Sequence, residues 1–501
     1  MARAIKRQLA RHEAGGRVST RQKQVFSVVL LLWIAAGACL DDKGVAPITP
    51  AIVDVVTHPN PHNVLSAVVT FRAIGVDSVR AAYWAADGRR ESSPYQAING
   101  DSGRIVVLGL LANTTYNITV ETKREGATVA STPILLSVGS LPDALRRISF
   151  NTRGQPLPGY TITTTSVGSV GYVLAFDSVG RIAWYRAFED GVSATDAKQL
   201  PNGHFTSFLG NTFGWQPTYG RYVEYLISGE IVQSYAAPAP YYTDNHELLI
   251  TFVDGRPDRT HLFGYDLRRV DLSAIGGGSD VLLAGHTIVR QTPAGQVDFL
   301  WSSWDHFRLE DWIEEPQSFK QLANIDFDHP NSLDMDLDGH YIASWRSLAE
   351  ITKIDSRTGS IIWRFGGRNN QFTILNDPLG GFNGQHCVRV LGNGHLLLYD
   401  NGSRHMPAES RAVEYAIDAS TMTATLVWQF RHDPPIYTPF TGSVQRRING
   451  NTLIGFAGAG LVTEVTPAGA VVWEGRMLVD SLPVALYRLT SIPSLYRYEV
   501  P

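Results

Sequence analysis

The sequence predicts an all-β protein, a six-bladed β-propeller preceded by a small fibronectin-III/Ig-like β-sandwich, and three observations carry that expectation. Short apolar runs punctuated by Gly, Asn and Pro recur along the 501 residues, which include 46 Gly and 26 Pro. That pattern reads as short strands joined by turns. A turn followed by a strand ending in Trp repeats at Asp177–Trp184, Asp355–Trp363 and Thr466–Trp473, with looser copies before Trp301 and Trp428. A hairpin turn repeats at Asn202-Gly203, Asp338-Gly339, Asn393-Gly394 and Asn449-Gly450. There the dipeptide supplies the positive φ angles of a tight hairpin.

The propeller elements follow from these repeats. Trp363, Trp428 and Trp473 lie 65 and 45 residues apart, close to the period of blades with loop insertions. Counting both units gives six blades, near 145–190, 194–238, 242–307, 326–367, 384–432 and 440–478. Together they make a domain over residues 145–501, whose radial sheets leave no long edge unprotected. Residues 45–140 form the sandwich domain. In it Leu110, Thr114 and Tyr116, just ahead of an alternating strand, resemble the tyrosine corner of such sandwiches. The segment Ser137 to Ala144 links the two bodies.

At 44% hydrophobic and 18% charged, the chain can bury a full core and is not disordered. Its 43 Lys+Arg against 47 Asp+Glu give a net charge of −4, so no basic excess supports a nucleic-acid partner. Seven bases lie within the first 23 residues, and an apolar run follows from Val25 to Ala36. The run is too short to span a bilayer and suits a signal-peptide core. It ends in Ala36-Gly37-Ala38-Cys39, which resembles a lipobox. Residues 1–38 are therefore expected to be a lipoprotein signal, with Cys39 lipidated, and an ordinary cleavage site beside a bystander Cys is the alternative. The mature chain would keep 36 basic and 46 acidic side chains, a net −10. It is expected to be exported to the periplasm or cell envelope and to touch the membrane only through its lipid anchor. Only Cys387 remains beyond Cys39, so the mature body has no intrachain disulfide.

Propeller sites lie in the central channel, to which the first strand of each blade contributes side chains. His246 lies nine residues before Gly255, His329 ten before Gly339 and His386 eight before Gly394. The equivalent slots of other blades hold Thr195 and Gly442. A residue needed only for blade packing would recur in every blade. Histidines in three successive blades instead point to convergence on one side of the channel. Arg346 follows His329 by seventeen residues, one hairpin further on, so an antiparallel return strand brings it near. A guanidinium beside imidazoles, with no carboxylate in the matching slots, describes a tetrahedral oxyanion site better than a metal site. Three His could instead hold zinc, but the Arg charge opposes the ion, and no metal or cofactor is expected. Asp334-x-Asp336-x-Asp338 resembles a calcium loop, yet its twelfth position is Trp345 rather than Glu, which favours a hairpin turn. There is no Gly-x-x-x-x-Gly-Lys phosphate loop.

The motifs Asp326-Phe327-Asp328-His329-Pro330-Asn331-Ser332 with Ser344-Trp345-Arg346, then Gly384-Gln385-His386 and Asp400-Asn401-Gly402, resemble the bacterial arylsulfate sulfotransferase family. The resemblance implies an exported six-bladed propeller behind a small sandwich. It also implies transfer of a sulfuryl group from an aryl sulfate donor to a phenolic acceptor without a nucleotide donor. By motif, His386 would be the nucleophile that becomes sulfated, and His329 and Arg346 would bind sulfuryl oxygens. His246 would assist as ligand or acid–base group, with Asn331 and Asn401 in supporting, substrate-binding roles. Where family members often carry a His pair in the third blade, this chain has Asp244-Asn245-His246-Glu247. A non-catalytic propeller lipoprotein that binds a ligand or scaffolds an envelope complex is the alternative, and a homodimer stays open.

Overall fold

The computed structural model describes residues 49–88, 90–124, 127–210, 220–313 and 323–496. The expected signal segment, residues 1–38, and Cys39 lie outside them. From Ala51 onward the chain forms one compact unit, built almost wholly of antiparallel strands. No helix of the described residues is long and apolar enough to cross a membrane.

The first strands form a three-stranded sheet (Ala51–Pro59, Ala67–Ile74, Ser102–Val107) and a six-stranded sheet around Ser78–Trp84 and Thr115–Arg124. Alternation along Ala67–Ile74 turns Ala67, Val69, Phe71 and Ala73 inward, where they share one core with Val79, Ala81, Tyr83, Ile118 and Val120 of the other sheet. The Tyr116 hydroxyl accepts the Leu111 N–H at 3.0 Å, the hydrogen bond a tyrosine corner makes. Leu65 joins a core with Leu174 and Leu489 of the main body, and the Tyr496 hydroxyl accepts the Leu108 N–H. The two bodies therefore share apolar surface.

Six antiparallel sheets follow, which we read as one blade each. Their inner strands are Leu489–Ile492, Ser193–Gln199, Tyr242–Val253, Pro330–Met335, His386–Val390 and Ser443–Arg446, packed in that order around a ring. The ring closes twice. The carboxy-terminal strand Leu489–Ile492 pairs with Tyr160–Val167 in the first sheet, and Ile148–Gly154 pairs with Val471–Val479 as an extra strand of the last. The sequence count, which began the first blade at 145 and ended the last at 478, misses this exchange. Pairing between the two ends of a chain leaves no mark on local periodicity.

The repeated turns have a common geometry. Only the glycines hold positive φ, 83° at Gly203, 81° at Gly339, 82° at Gly394 and 85° at Gly450. The turn is thus the three-residue hairpin with one left-handed residue, not the two-residue form that needs two. The Asn or Asp ahead of each glycine accepts the N–H two residues on, from His204, His340, His395 and Asn451, which explains the Asx preference. Three of the repeated Trp side chains latch one sheet to the next. Trp184 donates to Ile227 O, Trp301 to Gly359 O and Trp428 to Pro467 O. The calcium-like run holds an ammonium instead, with Lys353 Nζ on Asp336 and Asp338 at 2.5 and 2.6 Å.

Two features of the inner strands shape the site. Four successive ones carry a bulge, between Thr195 and Lys198, Thr243 and Leu248, Pro330 and Ser332, and His386 and Arg389. The axis is crossed by buried charges. Arg488 pairs with Asp196 and with Glu247 at 3.1 Å and donates to Asn331 O at 2.6 Å. Glu247 also takes Lys198 and, at 2.9 Å, Arg389.

Two equivalent turn glycines differ in their surroundings. A Cβ on Gly180 would meet the Phe150 carbonyl oxygen at 1.9 Å, whereas one on Gly469 meets nothing within 4 Å. Gly469→Ala should cost only the positive-φ strain of about 1 kcal/mol. Gly180→Ala should cost clearly more, because the closing strand Ile148–Gly154 must shift. Denaturant midpoints of both variants check this.

Candidate active site

The three histidines reach one place by way of the bulges. His246 lies within Tyr242–Val253, His329 immediately precedes Pro330–Met335, and His386 opens His386–Val390. A bulge inserts an unpaired residue and re-aims the next side chain. This explains why the count to the turn glycine is nine, ten and eight although the side chains converge. The strain of re-aiming is visible in φ, 46° at His329 and 53° at Cys387. Pro330 pairs with Trp345 across the sheet, so Arg346 N–H donates to His329 O at 2.9 Å. The His246 and His329 rings lie 4.7 Å apart at 67°, and His386 feels the charges of Arg346, His329 and His246.

His386 is buried, and its tautomer follows from its partners. Nδ1 lies 2.7 Å from Asn401 Oδ1 and 3.0 Å from Gly384 O, both acceptors, so Nδ1 carries the proton. Nε2 receives the Thr441 N–H at 3.3 Å and therefore presents its lone pair. Burial, then Arg346 and the neighbouring histidines, push the His386 pKa well below the ordinary 6.5 against the opposing pull of Asn401. A neutral imidazole with an unprotonated Nε2 is what a nitrogen nucleophile requires, and the long hydrogen bond from Thr441 must give way before that lone pair can attack.

Carboxylates stand behind the other two rings, although the slots compared between blades hold none. His246 Nδ1 lies 2.9 Å from Asp244 Oδ1, and His329 Nδ1 lies 2.6 Å from Asp326 Oδ2. Each Nδ1–H is thereby fixed and each Nε2 is turned the other way. The slot comparison did not see these acids because they lie two and three residues before their histidines. Burial opposes the charge on Asp244, yet His246 and His286 outweigh it and hold its pKa well below the usual range. Burial, with His246 and Arg346, lowers the His329 pKa despite Asp326.

Arg346 donates through Nη2 to Pro439 O at 3.2 Å, while its buried Nε meets no acceptor. Asn401 Nδ2 donates to Thr438 O and Thr441 O at 2.7 and 2.9 Å, so one loop, 438–441, touches Arg346, Asn401 and His386. Asn331 Nδ2 donates to Gln385 O at 2.6 Å, and its Oδ1 is buried without a partner. Sequence reasoning missed Asp244, His286 and the Thr441 N–H. A backbone donor carries no residue signal, and His286 sits on Val281–Gln291, a strand away from the axis that reads as core. Among the described residues one trio of donor types, His286, Asp326 and Asp328, has ligand atoms within 4.8 Å of one another. A direct His286–Asp328 hydrogen bond puts a proton between two of the three donors, so the trio reads as an ion-pair cluster.

The fold and site define a β-propeller with an axial cluster of imidazoles and a guanidinium, suited to a tetrahedral anion. The family model for arylsulfotransferase (ASST) matches residues 155–477, and the chain belongs to that family. Membership supports aryl sulfotransferase activity in general, on small-molecule aryl sulfates and phenols, and does not favour a purely scaffolding role. A search of curated proteins finds no match. Similar solved structures include a protein of unknown function from Bacteroides caccae, at 14% identity and TM-score 0.42, covering 68% of this chain and all of that one. A streptogramin B lyase is 10% identical with TM-score 0.33, covering 66% and 88% of the two chains. A catalytically inactive virginiamycin B lyase from Staphylococcus aureus with quinupristin is 10% identical with TM-score 0.32, covering 68% and 92%.

Asn401 is the partner that fixes the His386 tautomer. Asn401→Leu should lower the rate of nitrophenol release from p-nitrophenyl sulfate by roughly 10²-fold or more, in the range lost when an acid–base group is misplaced. Stopped-flow absorbance measures it.

Proposed function

We propose that the protein is an exported arylsulfotransferase, lipid-anchored at Cys39, that passes a sulfuryl group through His386. The single observation that supports this best is the His386 ring, held by Asn401 as the Nδ1–H tautomer and kept neutral by burial and by the charges of Arg346 and two further imidazoles. In the first half-reaction Nε2 attacks the sulfur of the aryl sulfate. The N–S bond forms, the bond from sulfur to the aryl oxygen breaks, and the electron pair leaves on the phenolate. His246 or His329 supplies a proton to that oxygen. In the second half-reaction an acceptor phenol gives up its proton to the same group and attacks sulfur, and the N–S bond breaks.

Sulfuryl transfer resembles the loose phosphoryl case, in which positioning and stabilisation of the equatorial oxygens supply most of the catalysis. Arg346, whose Nε has no other acceptor, is placed to donate to those oxygens, and the Thr441 N–H can join it once it leaves the Nε2 lone pair. Each such preorganised donor contributes about 3 kcal/mol. His329 adds a third through Nε2 when protonated. Asn401 acts through His386, and Asn331, fully buried, supports it by holding the Gln385 carbonyl just ahead of that ring.

Mixing the signal-free protein with p-nitrophenyl sulfate and no acceptor should add one SO₃ group, about 80 Da, with one equivalent of nitrophenol released as a burst. His386→Ala should show neither, and absence of adduct and burst with several aryl sulfates in the unsubstituted protein would sink the reading. The pH dependence has a definite sign. Because the His386 pKa lies well below 6.5, Nε2 stays unprotonated as pH falls from 8 to 6. The yield of adduct at saturating donor should therefore hold across that window, where a histidine of ordinary pKa would lose more than half of its neutral form.

A further inference from the structure

Behind the site lies a second histidine cluster that the proposed reaction does not use. His286 is fully buried. Its Nδ1 bonds Asp328, and its backbone N–H donates to Asp328 Oδ2 at 3.2 Å and Ser303 Oγ at 2.9 Å. Its Nε2 faces Asp244 Oδ2 at 3.7 Å. The groups around it are Asp244 from the inner strand of its own sheet, Asp326 and Asp328 from the segment entering the fourth sheet, and the Tyr265 ring at 4.5 Å on the adjacent strand. Among the described residues the ion pairs of Asp244, Asp326 and Asp328 are with histidines only, His246, His286 and His329. Asp244 and Asp328, fully buried, and Asp326, partly buried, thus have no lysine or arginine to balance them, and an unbalanced buried charge is strongly disfavoured. The balancing proton must sit on an imidazole.

We propose that His286 is the buried cation that keeps Asp244 and Asp326 ionised behind His246 and His329, and so is a positioning residue for both rings. The inference rests on the reading of those two histidines as working groups of the site. Of the three imidazoles, His286 alone stands between two carboxylates, hydrogen-bonded to Asp328 through Nδ1 and facing Asp244 Oδ2 at 3.7 Å through an Nε2 that has no hydrogen-bond partner. His246 and His329 each turn one nitrogen away from their acid, toward the site. Burial disfavours the charge on His286, yet Asp328 and Asp244 outweigh it and raise its pKa to about 10. Without this cation Asp244 and Asp326 would take up protons more readily. Each would then present its neighbour's Nδ1–H with a weaker acceptor and a competing donor, and the rings would lose their fixed orientation.

The sign of the pH effect follows. In His286→Gln the orienting acids have raised pKa values, so their ionised state is lost at higher pH. The acid limb of kcat/KM for p-nitrophenyl sulfate should move up by at least one pH unit relative to the unsubstituted protein, each profile being scaled to its own plateau. A purely structural histidine would lower the rate equally at all pH, and an unshifted limb overturns the proposal. Independently, ¹⁵N spectra of histidine-labelled protein should show one ring with both nitrogens protonated at pH 8.5. Its absence overturns the proposal, as does a stoichiometric divalent metal found by elemental analysis. If His286→Gln does not fold, the spectrum of the unsubstituted protein decides. If the unsubstituted protein transfers no sulfuryl group, the functional reading fails and the spectrum still decides the charge on His286.

Discussion

The hub of the molecule is Arg488. Its guanidinium, wholly buried, meets Asp196 on the second sheet, Glu247 on the third and the Asn331 carbonyl on the fourth. Glu247 passes the contact to Arg389 on the fifth. Inner strands that share no backbone hydrogen bonds with one another are thereby fixed in relative height. Removing one member of such a network leaves its partners charged in a low dielectric, which is far costlier than losing an exposed pair. The histidines stand on the same strands, one to three positions from these charges in sequence, so the precision of the site depends on a network that contains none of the proposed reacting groups.

That arrangement divides labour along each strand. Glu247 follows His246 directly, and Asn331 lies two residues after His329. One residue braces the axis, Glu247 by its side chain and Asn331 by its backbone carbonyl, while its neighbour across the bulge enters the site. A regular strand would send alternate residues to opposite faces. The bulges break that alternation, allowing adjacent residues to serve the two purposes.

Much of this was legible in the sequence. The Asx-Gly and Trp repeats reported the sheets, because both act locally: the Asx side chain bonds two residues on, and the indole N–H finds the next turn. Histidines recurring in one slot reported the site, since convergence in a ring requires equivalent positions. What stayed hidden depends on distant partners. Asp244 and Asp326 were in view as motif residues, but their hydrogen bonds follow from backbone direction at a bulge. Arg488 reads as one more arginine near the end of the chain until its partners, up to 292 residues away, are known.

The double closure of the ring has a consequence for how the chain comes to be folded. Arg147 and Asp480 meet across 333 residues, next to the pairing of Ile148–Gly154 with Val471–Val479, and the first sheet waits for Leu489–Ile492. A chain emerging from its amino terminus can build the middle sheets as it comes, but neither clasp nor Arg488 exists until the last few residues arrive. Loop-closure entropy rises only slowly with length, so the final state is not much penalised for its span. The order of events is nonetheless fixed: the axis, and with it the histidine cluster, is the last part to set.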